Sequence, residues 1–495
     1  MGLIRRSRTA SALSPNISGA ADARRKIPPV LIYFFGALEG FVFGYDTGVV
    51  AGALLFVEKD MALTPAMQGL VVSALLFGAI VVAPVSGYVS DRIGARRLLM
   101  AASLFFLVGS LGCSASVHPT TLIAFRFVLG IGIGIGAVQV PVYLAELSPA
   151  SSRGRITSLY QLMVATGIFV AYIVGYVLSK SGDWRTMFLV AAVPAALLFG
   201  GVLLLPESPR WLAKKGRVAE ARDILLRTRT PEQAEQEYNG IASLAPQAKF
   251  SWSNFLRDRW LRRALLLAIA FAAFQQALGI NTIVYYSPSI LHAAGFPASA
   301  AILVAVGLQG LSIVMTLTLG GIVDWVGRRR LLMSGALAMA TSMAILGAIF
   351  QFGLLNGGLG AGVAVACLAV FKAAFSLSWG PVLWIVLPEL LPLHGRGPTM
   401  GACVFTNFAM NFVIASVFPI LLASGTAVAF GTFAICGVAA CVLTARLLPE
   451  TARRTLEEIE FSGSAACQAR SRSGPLGRGI SSTLTSVGKA QAHDA

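Results

Sequence analysis

Asp46 and Arg126 are the residues of this 495-residue chain whose types and positions most invite chemistry. Each sits inside a long apolar run, at about 29 to 55 and about 120 to 145, where a charged side chain is costly and calls for a partner. Counted from matching ends of the two runs, their depths differ by only about 4 to 5 Å at the helical rise of about 1.5 Å per residue, so the two side chains should meet. A carboxylate beside an arginine stays ionised, and one that has lost its arginine takes up a proton. A pair that separates and re-forms therefore alternates between low and high proton affinity; the other reading of Asp46 and Arg126 is a permanent structural ion pair.

A second group consists of amides in otherwise apolar segments: Gln161, the adjacent Gln275 and Gln276, Asn281 and Asn407, with Asn411 one turn further on. An amide both donates and accepts, which suits a ligand whose hydroxyls do the same. Bonding between neighbouring helices is the plainer alternative for any one of them. Gly279, between the glutamines and Asn281, and Pro288 beyond it predict a broken helix there. Glu39 precedes Asp46 by seven residues, on the same helical face and about 10 Å deeper. It is open to two readings, a proton relay or contact with an inner water cavity. Lys372 falls in the outer half of its run, too far out to pair with Glu39, and receives no role.

Other chemistry is not supported. The six cysteines (Cys113, Cys367, Cys403, Cys436, Cys441 and Cys467) include no CxxC pair, and His118, His292, His394 and His493 are scattered. Neither set implies a disulfide framework or a metal. GIGIGIG at 130 to 136 lies inside an apolar run, where small residues permit close helix packing, so it is not a nucleotide loop. With no nucleophile and base pair and no phosphate-cradling loop, an enzyme is not expected and no cofactor is implied.

The elements that must hold these residues are legible in the composition, which is 56% hydrophobic and 12% charged. Apolar runs lie at about 29 to 55, 67 to 88, 98 to 116, 120 to 145, 156 to 179 and 186 to 205. After a charged stretch six more follow, at about 264 to 292, 299 to 322, 331 to 353, 359 to 388, 399 to 423 and 427 to 448. Runs of this length predict membrane-spanning helices and not alternating barrel strands. The expected organisation is an N-terminal segment (1 to 28), a six-helix bundle (29 to 205), a loop with short amphipathic helices (206 to 263), a second bundle (264 to 448) and a tail (449 to 495), mostly disordered.

The net charge of +17 would suit a nucleic acid or an anionic lipid surface. Mapped onto the spans, however, 34 of the 39 lysines and arginines fall on one side and three on the other. That asymmetry marks orientation, placing both termini in the cytoplasm, and excludes nucleic acid as the partner. The first span is too long for a signal-peptide core, so it should remain attached.

Three motifs occur twice. GYVSDRIGARRLLM at 87 to 100 matches GGIVDWVGRRRLLM at 320 to 333; ELSPASSRG at 146 to 154 shares a skeleton with ELLPLHGRG at 389 to 397; PESPRWL at 206 returns as PETARRTL at 449. Two homologous halves follow, a construction typical of secondary transporters. The duplicated motifs carry opposite charges on the cytoplasmic side: Asp91, Arg92, Arg96, Arg97, Glu146, Arg153, Glu207 and Arg210, with counterparts Asp324, Arg329, Glu389, Arg396 and Glu450. Such pairs can latch the two bundles together on that face and break when it opens, each being worth about 0 to 1 kcal/mol. Service as topology signals alone is the alternative.

FGYDTGVVAGAL, DRIGARR, RFVLGIGIGIG, PESPRWL, QQALGINTIVYYSPSI, DWVGRRR, WGPVLWIVLPELLP and PETARRTLEEIE, in that order from about 43 to 460, resemble the signatures of the sugar porter family of the major facilitator superfamily. The resemblance implies twelve transmembrane helices in two homologous six-helix bundles, an all-α membrane protein of the major facilitator fold. It also implies a sugar site lined by Gln161, Gln275, Gln276, Asn281 and Asn407, with Trp384 packing on the sugar ring, Phe43 contributing similarly, and Tyr285 and Tyr286 as an external gate. Proton-linked members carry aspartate at the position of Asp46, where mammalian facilitative members carry asparagine. Two positions depart from the pattern: Ser312 stands where the family commonly places an asparagine, and Ala191 where a proton-coupled xylose porter has a glutamate.

The expectation is an alternating-access importer of a monosaccharide, hexose or pentose, with a proton as coupling ion, working as a monomer in the plasma or inner membrane. A proton-independent facilitator of a sugar or polyol is the first rival and a non-transporting sugar sensor the second. Which sugar is carried does not follow from motifs that glucose, galactose, xylose, arabinose and inositol carriers share.

Overall fold

The computed structural model describes residues 29–147, 153–228, 230–243, 251–354, 358–391 and 396–448. Among these there are helices and no strand. The first half comprises α1 (Pro29–Asp60), α2 (Pro65–Ile93), α3 (Ala95–Ser114), α4 (Pro119–Leu147), α5 (Arg153–Leu178) and a sixth span broken at Ala191 into α6 (Trp184–Val190) and α7 (Ala192–Leu204). Four short helices follow: α8 (Pro209–Lys214), α9 (Val218–Thr228), α10 (Pro231–Ser243) and α11 (Trp252–Arg257). The second half has a seventh span in two pieces, α12 (Arg259–Ala277) and α13 (Ile280–Ala293), then α14 (Ala298–Val326) and α15 (Arg328–Gln351). The tenth span is also in two pieces, α16 (Gly358–Leu377) and α17 (Pro381–Leu390), before α18 (Arg396–Ser424) and α19 (Thr426–Leu447). Among the described residues twelve segments are long and apolar enough to cross a bilayer, the number of apolar runs in the sequence.

The duplication is visible in the packing. In the first half span one packs on span five (α1 on α5), two on four (α2 on α4), and three on four and six (α3 on α4 and α7). The second half repeats this scheme with α12 on α18, α14 on α16, and α15 on α16 and α19. The halves meet through α2 on α18, α5 on α14 and α1 on α13. Small residues make the seams: Gly130 and Gly134 of α4 lie against the backbone of Leu75, Gly78 and Ala79 of α2. Leu317, Leu359, Ile435 and Val193 face outward, as a lipid-facing belt requires.

The basic ends of the spans, with α8 to α11, share one side, termed here the basic face; the other is the far face. At the basic face α2 turns into α3 at Gly94, and α14 into α15 at Gly327, both with φ in the left-handed region (98° and 90°). A Cβ at Gly94 would also stand 2.3 Å from Glu207 Oε2, so the turn and its acidic neighbour both require glycine.

Candidate functional site

In the first bundle, burial brings Asp46 of α1 and Arg126 of α4 together, each 1% exposed. Arg126 Nη1 donates to both Asp46 carboxylate oxygens at 2.9 Å, and Nε donates to the carbonyl of Val71 at 3.1 Å. The guanidinium lies over the Phe188 ring at 5.9 Å. Tyr45, beside Asp46, donates its hydroxyl to Met187 O, fixing α1 against α6. The ion pair thus sits in a dry pocket where each charge depends on the other.

In the second bundle the break in span seven does the positioning. Gly279 adopts φ 91°, and a Cβ there would press on the Phe433 ring at 2.8 Å, so α12 ends and α13 starts anew in a different direction. Gln275 and Gln276 stand at the end of α12 and Asn281 at the start of α13. Asn281 Nδ2 donates to Gln276 Oε1 at 2.8 Å, Gln276 Nε2 to Asn407 Oδ1 at 2.9 Å, and Asn407 Nδ2 to Gln275 Oε1 at 2.7 Å and to Ala272 O at 3.1 Å. Gln275 Nε2 in turn donates to the carbonyls of Trp379 and Gly380 at the break in span ten. Four amides from three helical pieces are therefore held in one network. Gln276 engages one of its two donors and one acceptor here, so capacity remains for a ligand hydroxyl.

Other expected residues lie around this network. Tyr286 donates to Ala415 O at 3.0 Å and packs on Phe418, while Asn411 donates to the Tyr285 hydroxyl at 3.4 Å. Tyr172 of α5 donates to Val284 O at 2.6 Å, tying α13 to the first bundle. Gln161 is exposed on α5 and is outside the network. Trp384 is 40% exposed on α17; the tryptophan bonded into the network is Trp379, fully buried, stacked on Phe271 at 5.7 Å and donating to Leu332 O. Ser312 pairs with Ser376 at 2.6 Å, so the short side chain is matched by another short hydroxyl from α16.

Three buried polar residues carry more than the sequence reading assigned. Lys372 Nζ donates to Gln309 Oε1 at 2.8 Å, and Gln309 Nε2 donates across the bundle interface to Ala165 O at 3.3 Å. Gln139 of α4 donates to Ser86 of α2 at 2.9 Å. Gln139 and Gln309 could have been found by the rule that singled out the other amides, as polar residues within apolar runs. Glu39 is 1% exposed, which rules out contact with an open water cavity in this conformation. Tight packing of α1 against Gly136 of α4 is the reason.

Several of the duplicated charged residues make contacts close to their own motifs. Asp91 accepts from Lys214 at 3.0 Å; Glu207 accepts the backbone N–H groups of Arg96 and Ser208; Arg96 Nε donates to Val202 O. Ser208 donates to Glu146, Arg92 packs on and bonds Tyr88, Arg329 bonds Ala445 O, and Arg328 reaches Glu389 at 3.9 Å. Burial raises the Glu146 carboxyl from its ordinary value, with the Ser208 hydroxyl and the Arg210 charge pulling it down. Arg97 and Arg210 are exposed. The side chains of Arg153, Asp324 and Arg396, and the whole of Glu450, lie outside the described residues.

The contacts described between the bundles lie elsewhere. Gly69 lies against Ser416, Phe77 against Phe412 at 5.7 Å, and Gly52 and Gly175 against Ile302, all in the middle or far halves of the spans. Towards the basic face, Val81, Val85 and Tyr88 of α2 and Phe405 of α18 are exposed. Among the described residues the bundles thus meet in the middle and far halves of the spans, and these side chains near the basic face stand exposed.

The profile of the "Sugar (and other) transporter" family matches residues 32–461. A D-xylose transporter of Levilactobacillus brevis is 41% identical over 444 residues, covering 88% of this chain and 96% of that protein. The galactose-proton symporter of Escherichia coli is 36% identical, covering 87% and 93%. The inward open structure of the xylose transporter from E. coli aligns with a TM-score of 0.76 at 27% identity, covering 88% of this chain and 99% of that one. On the duplicated bundles, the broken spans and these matches together, the chain belongs to the sugar porter family of the major facilitator superfamily.

Proposed function

We propose that this protein imports a monosaccharide, a hexose or a pentose, together with a proton by alternating access, as a monomer in the cell membrane with the basic face towards the cytoplasm. The observation that carries the reading is the division of polar groups. A buried Asp46–Arg126 pair occupies one bundle, and a neutral amide network occupies the other. The relatives include a xylose transporter and a galactose-proton symporter, which supports both parts.

Sugar hydroxyls would bond the free capacity of Gln276 and Asn281, with Gln275 and Asn407 fixing those amides and Gln161 and Trp384 approaching the sugar. As the bundles rock about the site, small shifts of α1 against α4 inside the first bundle separate or re-form their contact. When Arg126 withdraws, the Asp46 carboxylate takes a proton from the outside; when it returns, the proton is expelled. Tyr285 and Tyr286 would close the far side over the sugar. Asp91, Arg92, Arg96, Arg97, Glu146, Arg153, Glu207 and Arg210, with Asp324, Arg329, Glu389, Arg396 and Glu450, would rearrange at the cytoplasmic face as it shuts.

One proton moving inward through 100 mV releases about 2.3 kcal/mol, enough for nearly two decades of sugar gradient at about 1.4 kcal/mol per decade. The reading needs no cofactor and no catalytic group. It is tested with purified protein in liposomes and a panel of hexoses, pentoses and inositol: at least one should accumulate under an inward proton gradient and leak back when a protonophore is added. Uptake that only equilibrates, with or without the gradient, would identify a facilitator.

A further inference from the structure

Glu39 is a carboxyl group for which the pairing of Asp46 with Arg126 gives no use. It is 1% exposed, and neither oxygen has a hydrogen-bond partner. The side chain occupies the space left by Gly136 on α4: a Cβ there would lie 1.9 Å from Glu39 Oε1. The hydroxyl of Tyr160 on α5, itself buried, is the polar group that faces it. α4 offers glycine where it touches the carboxyl, so Tyr160 is the titratable group facing it.

An ionised carboxylate without a counter-ion, faced by a single hydroxyl inside a membrane span, costs far more than its neutral acid. In this conformation Glu39 therefore carries a proton while Asp46, gripped by Arg126, is arranged as a carboxylate. The two groups lie seven residues apart on one face of α1, about 10 Å along the helix axis. Glu39 is the one nearer the basic face, and Gln161, next to Tyr160, is exposed.

We propose that Glu39 is a second proton-binding site, the carboxyl through which a proton leaving Asp46 passes towards the basic face, with Tyr160 as its hydroxyl partner. The inference rests on the symport reading above. In the transfer one O–H bond breaks on Asp46 and one forms on Glu39, after Glu39 has released its own proton to water at the basic face. Release makes Glu39 a carboxylate, and the transfer makes Asp46 the carboxylate and Glu39 the acid again, so the pair gives up one proton in all, to water at the basic face, and Arg126 balances the charge left on Asp46. Gly136 is required because any larger residue would fill the place of the carboxyl.

The test combines infrared spectroscopy with transport in liposomes, using Glu39→Gln, which keeps size and shape, and Glu39→Asp, which keeps the acid. Wild type should show a carboxylic-acid C=O band that Glu39→Gln lacks. The pH profile of proton-driven sugar accumulation should flatten in Glu39→Gln, with accumulation falling tenfold or more, and be partly restored in Glu39→Asp. An unchanged band or an unchanged profile in Glu39→Gln would overturn the proposal. The two failures read differently: a wild type that accumulates no sugar sinks the symport reading, whereas a normal wild type with an unaltered Glu39→Gln sinks the relay alone.

Discussion

The two bundles are homologous in packing and opposite in polar content. The first buries charge: Asp46 against Arg126, with Glu39 further along the same helix. The second buries neutral amides, Gln275, Gln276 and Asn407, with Asn281 at their edge. Its one buried cation, among the described residues, is Lys372, bonded to Gln309. Charge in hydrocarbon is tolerated only when paired, which makes it a switch; an amide can stay bonded and still offer a donor or acceptor to a ligand. Duplication supplied one scaffold twice, and side-chain chemistry divided the labour between the copies.

The comparison is broken most forcefully at the ion pair. Arg126→Ala leaves Asp46 buried without its counter-charge and should cost about 3 to 5 kcal/mol of stability, read as a large drop in melting temperature in detergent. The double variant Asp46→Asn, Arg126→Leu should recover much of that loss, because no lone charge remains. In the second bundle, Asn407→Ala strips Gln276 of an acceptor and Gln275 of a donor, and should weaken sugar binding by about 1 to 3 kcal/mol, roughly fivefold to 150-fold in Kd by titration calorimetry. Gly279→Ala should cost about 1 to 2 kcal/mol through its left-handed backbone, and it lowers sugar affinity as well because the break aims Asn281. Asp91→Asn, at an exposed rim pair, should change stability by at most about 1 kcal/mol.

The sequence made the twelve spans and the two halves legible because a bilayer demands long apolar helices and a duplication leaves matching motifs. The meeting of Asp46 with Arg126 could also be anticipated, since depth along a span can be counted. The breaks in spans six and ten were not foreseen. Pro194 cannot donate to the carbonyl of Val190, and Gly380–Pro381 is a turn-forming pair, but both sit inside runs whose apolar character is uninterrupted. Trp379 was missed for the same reason, because its place at the break is set by packing on Phe271. The direction in which Glu39 points was hidden as well: it depends on Gly136, far away in the chain. The rim charges name their partners only once the conformation is known, since one set of residues can pair within or across bundles.

The central claim, that the first bundle carries the proton and the second the sugar, is tested most directly with Asp46→Asn in liposomes. Sugar accumulation under an inward proton gradient should vanish, while exchange of labelled for unlabelled sugar across the membrane persists. Accumulation equal to that of the unaltered protein would contradict the account.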